Sequence, residues 1–390
     1  MSKSLSYVLV TPYTIVKSRT GGVLSRLLSR TNLELVGAQM FAPDQKFAAE
    51  YAQSLRKRSP QNHIMLLADY IEENLGPSGG RPHRNLLLLF EGENACEQLA
   101  DTCGHIYTKH IEIDALQGET IRDTYADLIF SRENPEVASY FEPAVLTPRN
   151  NQEAEEDLLL MADYLENNGN IVQNTEYPEP SKIERTLAMI KPDNWANNSS
   201  RPGAIIDMFS RTGLRIIGVK VHRFSVAQAM EFYSSVEAVL KERMAPEFGE
   251  KAKNLLEKEF NITLNKDSVN ELTKTVGIEA AKDQFSQIIK FICGIRPEDC
   301  TPLERYMPGN VMCMILIYEG ENAIKKIRDV LGPTDPLSAP DGTIRREFGS
   351  SIMINTAHAS DSIESYNREK EIVRIHENSL SSIIKNAFQS

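Results

Sequence analysis

Phe90-Glu-Gly-Glu-Asn-Ala95 occurs a second time in the chain, as Tyr318-Glu-Gly-Glu-Asn-Ala323, and this repetition decides how the rest of the sequence is read. Ser29-Arg-Thr-Asn-Leu-Glu-Leu-Val-Gly37 likewise returns as Ser210-Arg-Thr-Gly-Leu-Arg-Ile-Ile-Gly218, and Glu119-Thr-Ile-Arg122 as Gly342-Thr-Ile-Arg345. The three pairs keep their order, so the halves are colinear copies of one unit. The offset grows from 181 at the Ser29 pair to 228 at the Phe90 pair, so the second copy carries about 47 additional residues between these anchors.

Outward from the anchors, each copy reads as the same run of elements. An apolar strand (Tyr7 to Val10; Leu187 to Ile190) precedes a helix beginning near Gly22 or Gly203, then a second strand, Leu33 to Met40 or Leu214 to Val221. A short helix holds Tyr51 or Tyr233, a continuous apolar strand spans Asn85 to Phe90 or Val311 to Tyr318, and Asn94 or Asn322 opens a third helix. A last strand is expected near Ala126 to Phe130 or Ser351 to Ile354. Strand, helix, strand, strand, helix, strand is the order of a ferredoxin-like split unit: an α/β (α+β) fold with a mainly antiparallel sheet and helices packed on it. Two such domains are expected, residues 1–148 and 184–390. Residues 149–183, with Glu153-Ala-Glu-Glu-Asp157 and Pro178-Glu-Pro180, read as a solvated helical linker and a stiff boundary. The extra residues, about 237–305, are charged and helix-prone at Glu250 to Glu259 and Ala280 to Ile292, and read as two or three helices packed on the second domain.

A chain of 390 residues is long enough for two domains. Lys and Arg total 43 against 54 Asp and Glu, and the net charge of −11 argues against nonspecific binding to nucleic acid or membranes. The five cysteines are odd in number and contain no Cys-x-x-Cys pair, which disfavours a disulfide framework or zinc knuckle and suggests a reducing, cytoplasmic setting. The N-terminal apolar run is too short for a signal peptide, and no stretch of 18 apolar residues occurs.

Chemistry concentrates in Asn355-Thr-Ala-His358-Ala-Ser360-Asp361-Ser362. The segment resembles the active-site signature of nucleoside diphosphate kinases, Asn-x-x-His-(Gly or Ala)-Ser-Asp, and the resemblance extends over most of residues 184–375. Glu184-Arg-Thr-Leu-Ala-Met-Ile-Lys191-Pro192-Asp193 is similar to that family's first strand, and implies that Lys191 contacts the nucleotide sugar and phosphate. Tyr233 falls where the family has a tyrosine beside the catalytic histidine. Arg328-Asp-Val-Leu-Gly-Pro-Thr334 resembles the loop giving an arginine and a threonine to the phosphates, and Arg345 matches the second arginine. Asn355 matches the asparagine that bonds the ribose hydroxyl, while Ser360 and Glu369 match the pair that orients the imidazole. The family also implies ATP and other NTPs with NDPs as partners, Mg2+ carried mainly by the nucleotide phosphates with no protein metal ligands, and self-association through the kinase domains.

These residue types suit phosphoryl transfer. An imidazole with an unperturbed pKa of about 6.5 is largely neutral at pH 7, so a ring nitrogen can attack phosphorus without a separate base. Catalysis beyond that is positioning and neutralisation of phosphate charge. Arginine offers a planar fork for this, and Lys191 and Thr334 add donors. Taken singly, Lys191 and Arg345 read as surface charges and His358 as structural; their meaning is collective. Asp361 and Ser362 read as caps of the helix that follows. Gly213 to Lys220 looks like a phosphate loop, but Val219 stands where Gly-Lys is required.

The first copy differs at these positions. Thr11 aligns with Lys191 and Ala100 with Arg328, no histidine lies between His110 and Met161, and Arg122 persists opposite Arg345. Residues 1–148 therefore read as a degenerate kinase-like domain, packed on the active one in imitation of a family dimer. In the second copy the insertion displaces the aromatic that stacks on the base, for which Phe285 is the nearest candidate, and the loop Asn194 to Ser200 is about three residues long for the family. The expected activity is transfer of the γ-phosphate of an NTP to an NDP, in ping-pong fashion through phosphorylated His358. The alternatives are an impaired tandem scaffold or nucleotide sensor, and a histidine phosphocarrier.

Overall fold

The structure is a computed structural model and describes residues 3–107, 117–134, 137–173, 175, 177–377 and 379–389. It falls into two compact units: the chain up to Val221 together with the chain from Met314, and His222–Cys313.

The first unit is built on β1 (Lys3–Val10), β2 (Glu34–Phe41), β3 (Asn85–Glu93), β4 (Asp127–Phe130), β5 (Ala138–Glu142), β6 (Val145–Leu146), β7 (Ile183–Ile190), β8 (Arg215–His222), β9 (Cys313–Glu321) and β10 (Ala357–Ala359). Eight of these form one sheet in the order β10-β7-β9-β8-β2-β3-β1-β6. Each copy supplies four adjacent strands in the same internal order, and the two quartets meet edge to edge through β2 and β8. At that seam Gln39 pairs antiparallel with Lys220, its own equivalent under the offset of 181, which is the mark of an isologous, two-fold junction.

The repeated Glu-Gly-Glu-Asn stretch now has a physical reason. A Cβ on Gly92 would stand 2.7 Å from Leu33 Cδ2, and one on Gly320 would stand 2.6 Å from Leu214 Cδ2, so a side chain at either place would displace the leucine packed there. Asn94 and Asn322 take left-handed conformations, φ 52° and 55°, to turn the chain into the helices Ala95–Cys103 and Ala323–Leu331. The helices Thr20–Arg30 and Arg201–Ser210 pack on each other closely, with an added Cβ on Gly203 placed 2.2 Å from the Gly21 carbonyl oxygen.

Burial on both faces explains the apolar runs. Leu86, Leu88 and Phe90 join a core that also holds Ile190, Phe209 and Leu316, whereas Leu87 and Leu89 join a second core with Phe47, Tyr51 and Leu158. That second core corrects one expectation. The stretch read as a solvated linker is the helix Asn151–Glu166, which buries Leu158, Met161, Ala162 and Leu165 against the first copy and supports the C-terminal helix Leu380–Phe388. The expected last strands are also corrected: β4 pairs with β5 in a separate small sheet, residues 351–354 form no strand, and the main sheet ends instead on β6 and β10.

The unit His222–Cys313 is helical, with Val226–Phe232, Ala245–Phe260, Lys266–Leu272 and Ile278–Cys293 as its α-helices of seven residues or more. Phe224 and Phe232 meet edge to face at 5.3 Å inside it.

Candidate active site

β10 pairs antiparallel with β7 in the register Ala357↔Ile190, His358↔Met189, Ala359↔Ala188. His358 therefore stands on the strand, not after it as the sequence suggested. Strand alternation buries the two alanines and leaves the His358 side chain 23% exposed. The strand starts abruptly because Thr356 holds φ 75°, fixed by its carbonyl accepting from Lys191 N at 2.9 Å and Asn194 Nδ2 at 2.8 Å.

Glu369, buried on the helix Ile363–Ile372, accepts from His358 Nε2 through Oε1 at 3.0 Å and from the Ser360 hydroxyl through Oε2 at 2.7 Å. An acceptor-only carboxylate at Nε2 assigns the ring proton to that nitrogen and puts the lone pair on Nδ1. Ser362 caps this helix by accepting from Ser365 N, and Asp361 accepts from the Ser365 hydroxyl at 2.5 Å. That hydroxyl holds the Asp361 carboxyl below the usual range, with Arg328 and His358 adding to the effect.

Lys191 is buried at the end of β7 and donates from Nζ to Asn355 Oδ1 at 2.7 Å. Asn355 in turn donates from Nδ2 to the Thr334 carbonyl at 3.0 Å and the Ile352 carbonyl at 2.8 Å, so Lys191, Asn355 and the Thr334 loop form one connected wall. Arg328 is exposed and lines a small cavity of about 380 Å³ with Lys325 and Asp361. Arg345 donates to the Gly332 carbonyl at 2.9 Å and the Ala357 carbonyl at 3.0 Å, tying the phosphate-loop candidate to the histidine strand. Tyr233 lies in the unit His222–Cys313, just past the helix Val226–Phe232, with its ring 5.2 Å from that of Phe232. Phe285, in the same unit, is buried, whereas a base-stacking ring needs an open face. Sequence reading missed Arg201, which donates to Thr356 Oγ1 at 3.2 Å and to the Phe348 carbonyl and sits 3.4 Å from Asp193 Oδ2. Its signal was the basic residue opening the helix that follows Lys191-Pro-Asp.

The nucleoside diphosphate kinase family model matches residues 184–292 and 301–378. The nucleoside diphosphate kinase of Nitratiruptor sp. is 35% identical over 190 residues, covering 49% of this chain and 93% of that protein. That of Halorhodospira halophila is 31% identical over 189 residues, covering 48% of this chain and 91% of that protein. The chain belongs to the nucleoside diphosphate kinase family. A solved Aquifex aeolicus nucleoside diphosphate kinase aligns with 51% of this chain and 98% of its own, at 25% identity and a TM-score of 0.32.

The first copy repeats the backbone of this strand with different side chains. β6 pairs with β1 as β10 pairs with β7, which puts Leu146 in the place of His358. Ala144 repeats the left-handed backbone of Thr356 with φ 63°. Pro143 replaces Asn355, Pro148 replaces Ser360 and Asp157 replaces Glu369. Asp157 is engaged elsewhere, accepting from the Tyr7 hydroxyl at 2.8 Å and from Arg58 at 2.6 Å, while the Tyr7 and Tyr51 hydroxyls meet at 2.6 Å. Burial, with the Glu153 charge adding to it, pushes the Asp157 carboxyl up against these donors. A cavity of about 770 Å³ still opens here, lined by Leu146, Ala100, Ile106 and Arg122 among others.

Proposed function

We propose that the second copy transfers the γ-phosphate of ATP or another NTP to an NDP through His358. Nδ1 attacks the γ-phosphorus, the bond to the β,γ-bridging oxygen breaks, and the NDP leaves with that electron pair. A terminal phosphate oxygen of the second NDP then attacks the phosphohistidine and frees the ring. The observation that carries this reading is the Glu369 carboxylate, bonded to both His358 Nε2 and Ser360: it holds the ring with Nδ1 basic and stabilises the cation formed at phosphorylation. Lys191, Arg328 and Thr334 line the phosphate side and Asn355 the ribose side. Arg345 acts by fixing Gly332 and Ala357, which frame the phosphate loop and the histidine strand.

Mg2+ fits as a passenger of the nucleotide, because Lys191, Asn355 and the Thr334 loop present a cationic and neutral wall that meets phosphate and sugar oxygens and leaves the ion to the phosphates. When bound there it neutralises phosphate charge. The first copy, residues 1–148, serves as a degenerate kinase-like domain. Self-association runs through kinase-domain surfaces, and five cysteines outside any disulfide suit a reducing cytoplasm. No helix among the described residues is long and apolar enough to cross a membrane.

The test is a two-step labelling of the full chain with Mg2+ and γ-labelled ATP, then unlabelled GDP. Acid-labile label, absent from His358→Ala and discharged as GTP, is expected, with turnover in that variant lowered by at least about a thousandfold. Label that survives in His358→Ala would overturn the assignment; label that GDP cannot remove would make the protein a phosphocarrier.

A further inference from the structure

The helix Ile363–Ile372, which carries Glu369, ends on a residue that its turn does not favour. Ile375 N donates to the Lys370 carbonyl at 3.2 Å and Arg374 N to the Glu371 carbonyl at 3.1 Å, the paired bonds of a Schellman turn. The left-handed position of such a turn is usually glycine, whereas here Arg374 holds it with φ 48°. The turn therefore needs support from outside the helix.

Lys220 supplies it. From β8 its Nζ donates to the Arg374 carbonyl at 2.6 Å and to the Val373 carbonyl at 3.1 Å, groups past the last turn that have no helical donor. The side chain is buried, and burial lowers its pKa to about 8, against the pull of Glu377 and with Arg374 adding to the fall. The amine thus keeps its proton at pH 7, and a cation at this place also meets the negative end of the helix dipole.

The first copy supplies an independent observation. Gln39 stands in the place of Lys220 and pairs with it across the seam. The offset of 212 that puts Leu146 at His358 puts Met161 and Ala162 at Val373 and Arg374, and there the helix Asn151–Glu166 runs on without a turn. Carbonyls inside a helix serve the helix itself, and the Gln39 amide, 1% exposed, has no hydrogen-bond partner among the described residues. The lysine is present where the helix stops and absent where it continues. Past Arg374 the chain leaves for the helix Leu380–Phe388, which is anchored on the first copy by Ser381 Oγ to the Ala162 carbonyl at 2.9 Å and by Lys385 to Glu166 at 2.8 Å.

We propose that, given the transfer reaction through His358, Lys220 is a positioning residue: it fixes where the Glu369 helix ends and so ties the setting of the imidazole to the junction with the first copy. Glu369 lies one turn before the supported end, its backbone carbonyl accepting from Val373 N at 3.1 Å, so a frayed turn moves the carboxylate off His358 Nε2.

Two readouts on the full chain test this. Nitrogen NMR spectra of the nucleotide-free protein, labelled at histidine, report the tautomer: a His358 ring held with its proton on Nε2 in the parent is expected to become a mixture of both tautomers in Lys220→Met. Labelling from γ-labelled ATP with Mg2+ is expected to slow about tenfold or more in that variant at saturating ATP, with KM within about twofold of the parent's. With Glu369→Gln already in place, the same change is expected to cost less than about twofold, because both act on one ring. Arg374→Gly is expected to restore at least about threefold to Lys220→Met, since glycine takes the turn unaided. Lys220→Gln, which matches the first copy, is expected to slow labelling about threefold or more and serves should Lys220→Met fail to fold. A parent that takes no label overturns the transfer reaction alone, because the tautomer still decides the role of Lys220. The proposal is overturned if Lys220→Met keeps the parent's tautomer or labels at the rate of a labelling parent, if its loss adds in full to that of Glu369→Gln, or if Arg374→Gly restores nothing.

Discussion

At the scale of single residues, Arg345 and Arg122 show how a repeat separates structure from chemistry. Arg122 donates to the Val145 carbonyl at 2.9 Å and to the Gly104 carbonyl, the same two places that Arg345 holds at Ala357 and Gly332. The clamp survives in a copy without the histidine, so it belongs to the fold. Backbone carbonyls leave no trace in a sequence, which is why the arginine was legible only as a phosphate contact. Arg122→Leu is expected to cost about 3 kcal/mol of stability by denaturant titration, because two carbonyls lose charged donors; a midpoint equal to the parent's would mean the clamp carries no weight. Asp207 makes the complementary point about charge. Burial pushes its carboxyl up to about 6 against the Gly21 and Gly22 amides, from 3.8 in a free chain. Between those values the folded state holds the extra proton, so stability falls as pH rises through the window and the cost is complete above pH 6. Asp207→Asn is accordingly expected to gain about 1 to 2 kcal/mol at pH 7.5, after allowance for partial solvent exposure, and nothing near pH 4. A gain that persists at pH 4 would point to packing instead.

At the scale of elements, legibility followed burial. β1, β3, β7 and β9 were plain because each is apolar on both faces, as in Leu86 to Phe90. The last strands were misplaced because they have two and three residues and are set by the left-handed Ala144 and Thr356, a backbone feature without a propensity signal. The helix Asn151–Glu166 was read as solvated because its acidic first turns hide a stripe of Leu158, Met161, Ala162 and Leu165. The site was legible where chemistry repeats a known pattern, as at His358 and Glu369, and illegible where it depends on chain geometry, as at Arg201. The pairing of Thr20–Arg30 with Arg201–Ser210 gives the element-scale prediction. Valine at Gly203 would drive its side chain into the Gly21 carbonyl and Ser25, so Gly203→Val is expected to lose about 3 kcal/mol or more in thermal unfolding. Gly169→Ala, which meets open space, is expected to stay within about 0.5 kcal/mol.

At the scale of the whole molecule, the eight-stranded sheet joins the two copies through a self-complementary contact, Gln39 with Lys220, and only the second copy has a histidine at the His358 position. A dimer of identical subunits must keep two competent sites, whereas a fused pair can let one drift while the shared sheet still needs its strands. The drift in the first copy runs through the whole set: Thr11, Ala100, Ile106, Pro143 and Leu146 stand where Lys191, Arg328, Thr334, Asn355 and His358 stand in the second. Phosphoryl transfer depends on this set together, since a nucleophile without phosphate neutralisation or an oriented ring gains little. Restoring the nucleophile alone should therefore restore nothing. In the double variant Leu146→His with His358→Ala, the new imidazole meets Asp157 already bonded to Tyr7 and Arg58, with Thr11 and Ala100 in the places of Lys191 and Arg328. No acid-labile label from γ-labelled ATP is expected on that protein; label appearing there would show that the first cleft still positions a triphosphate, and that its loss of function rests on one side chain rather than on the drift of the whole site.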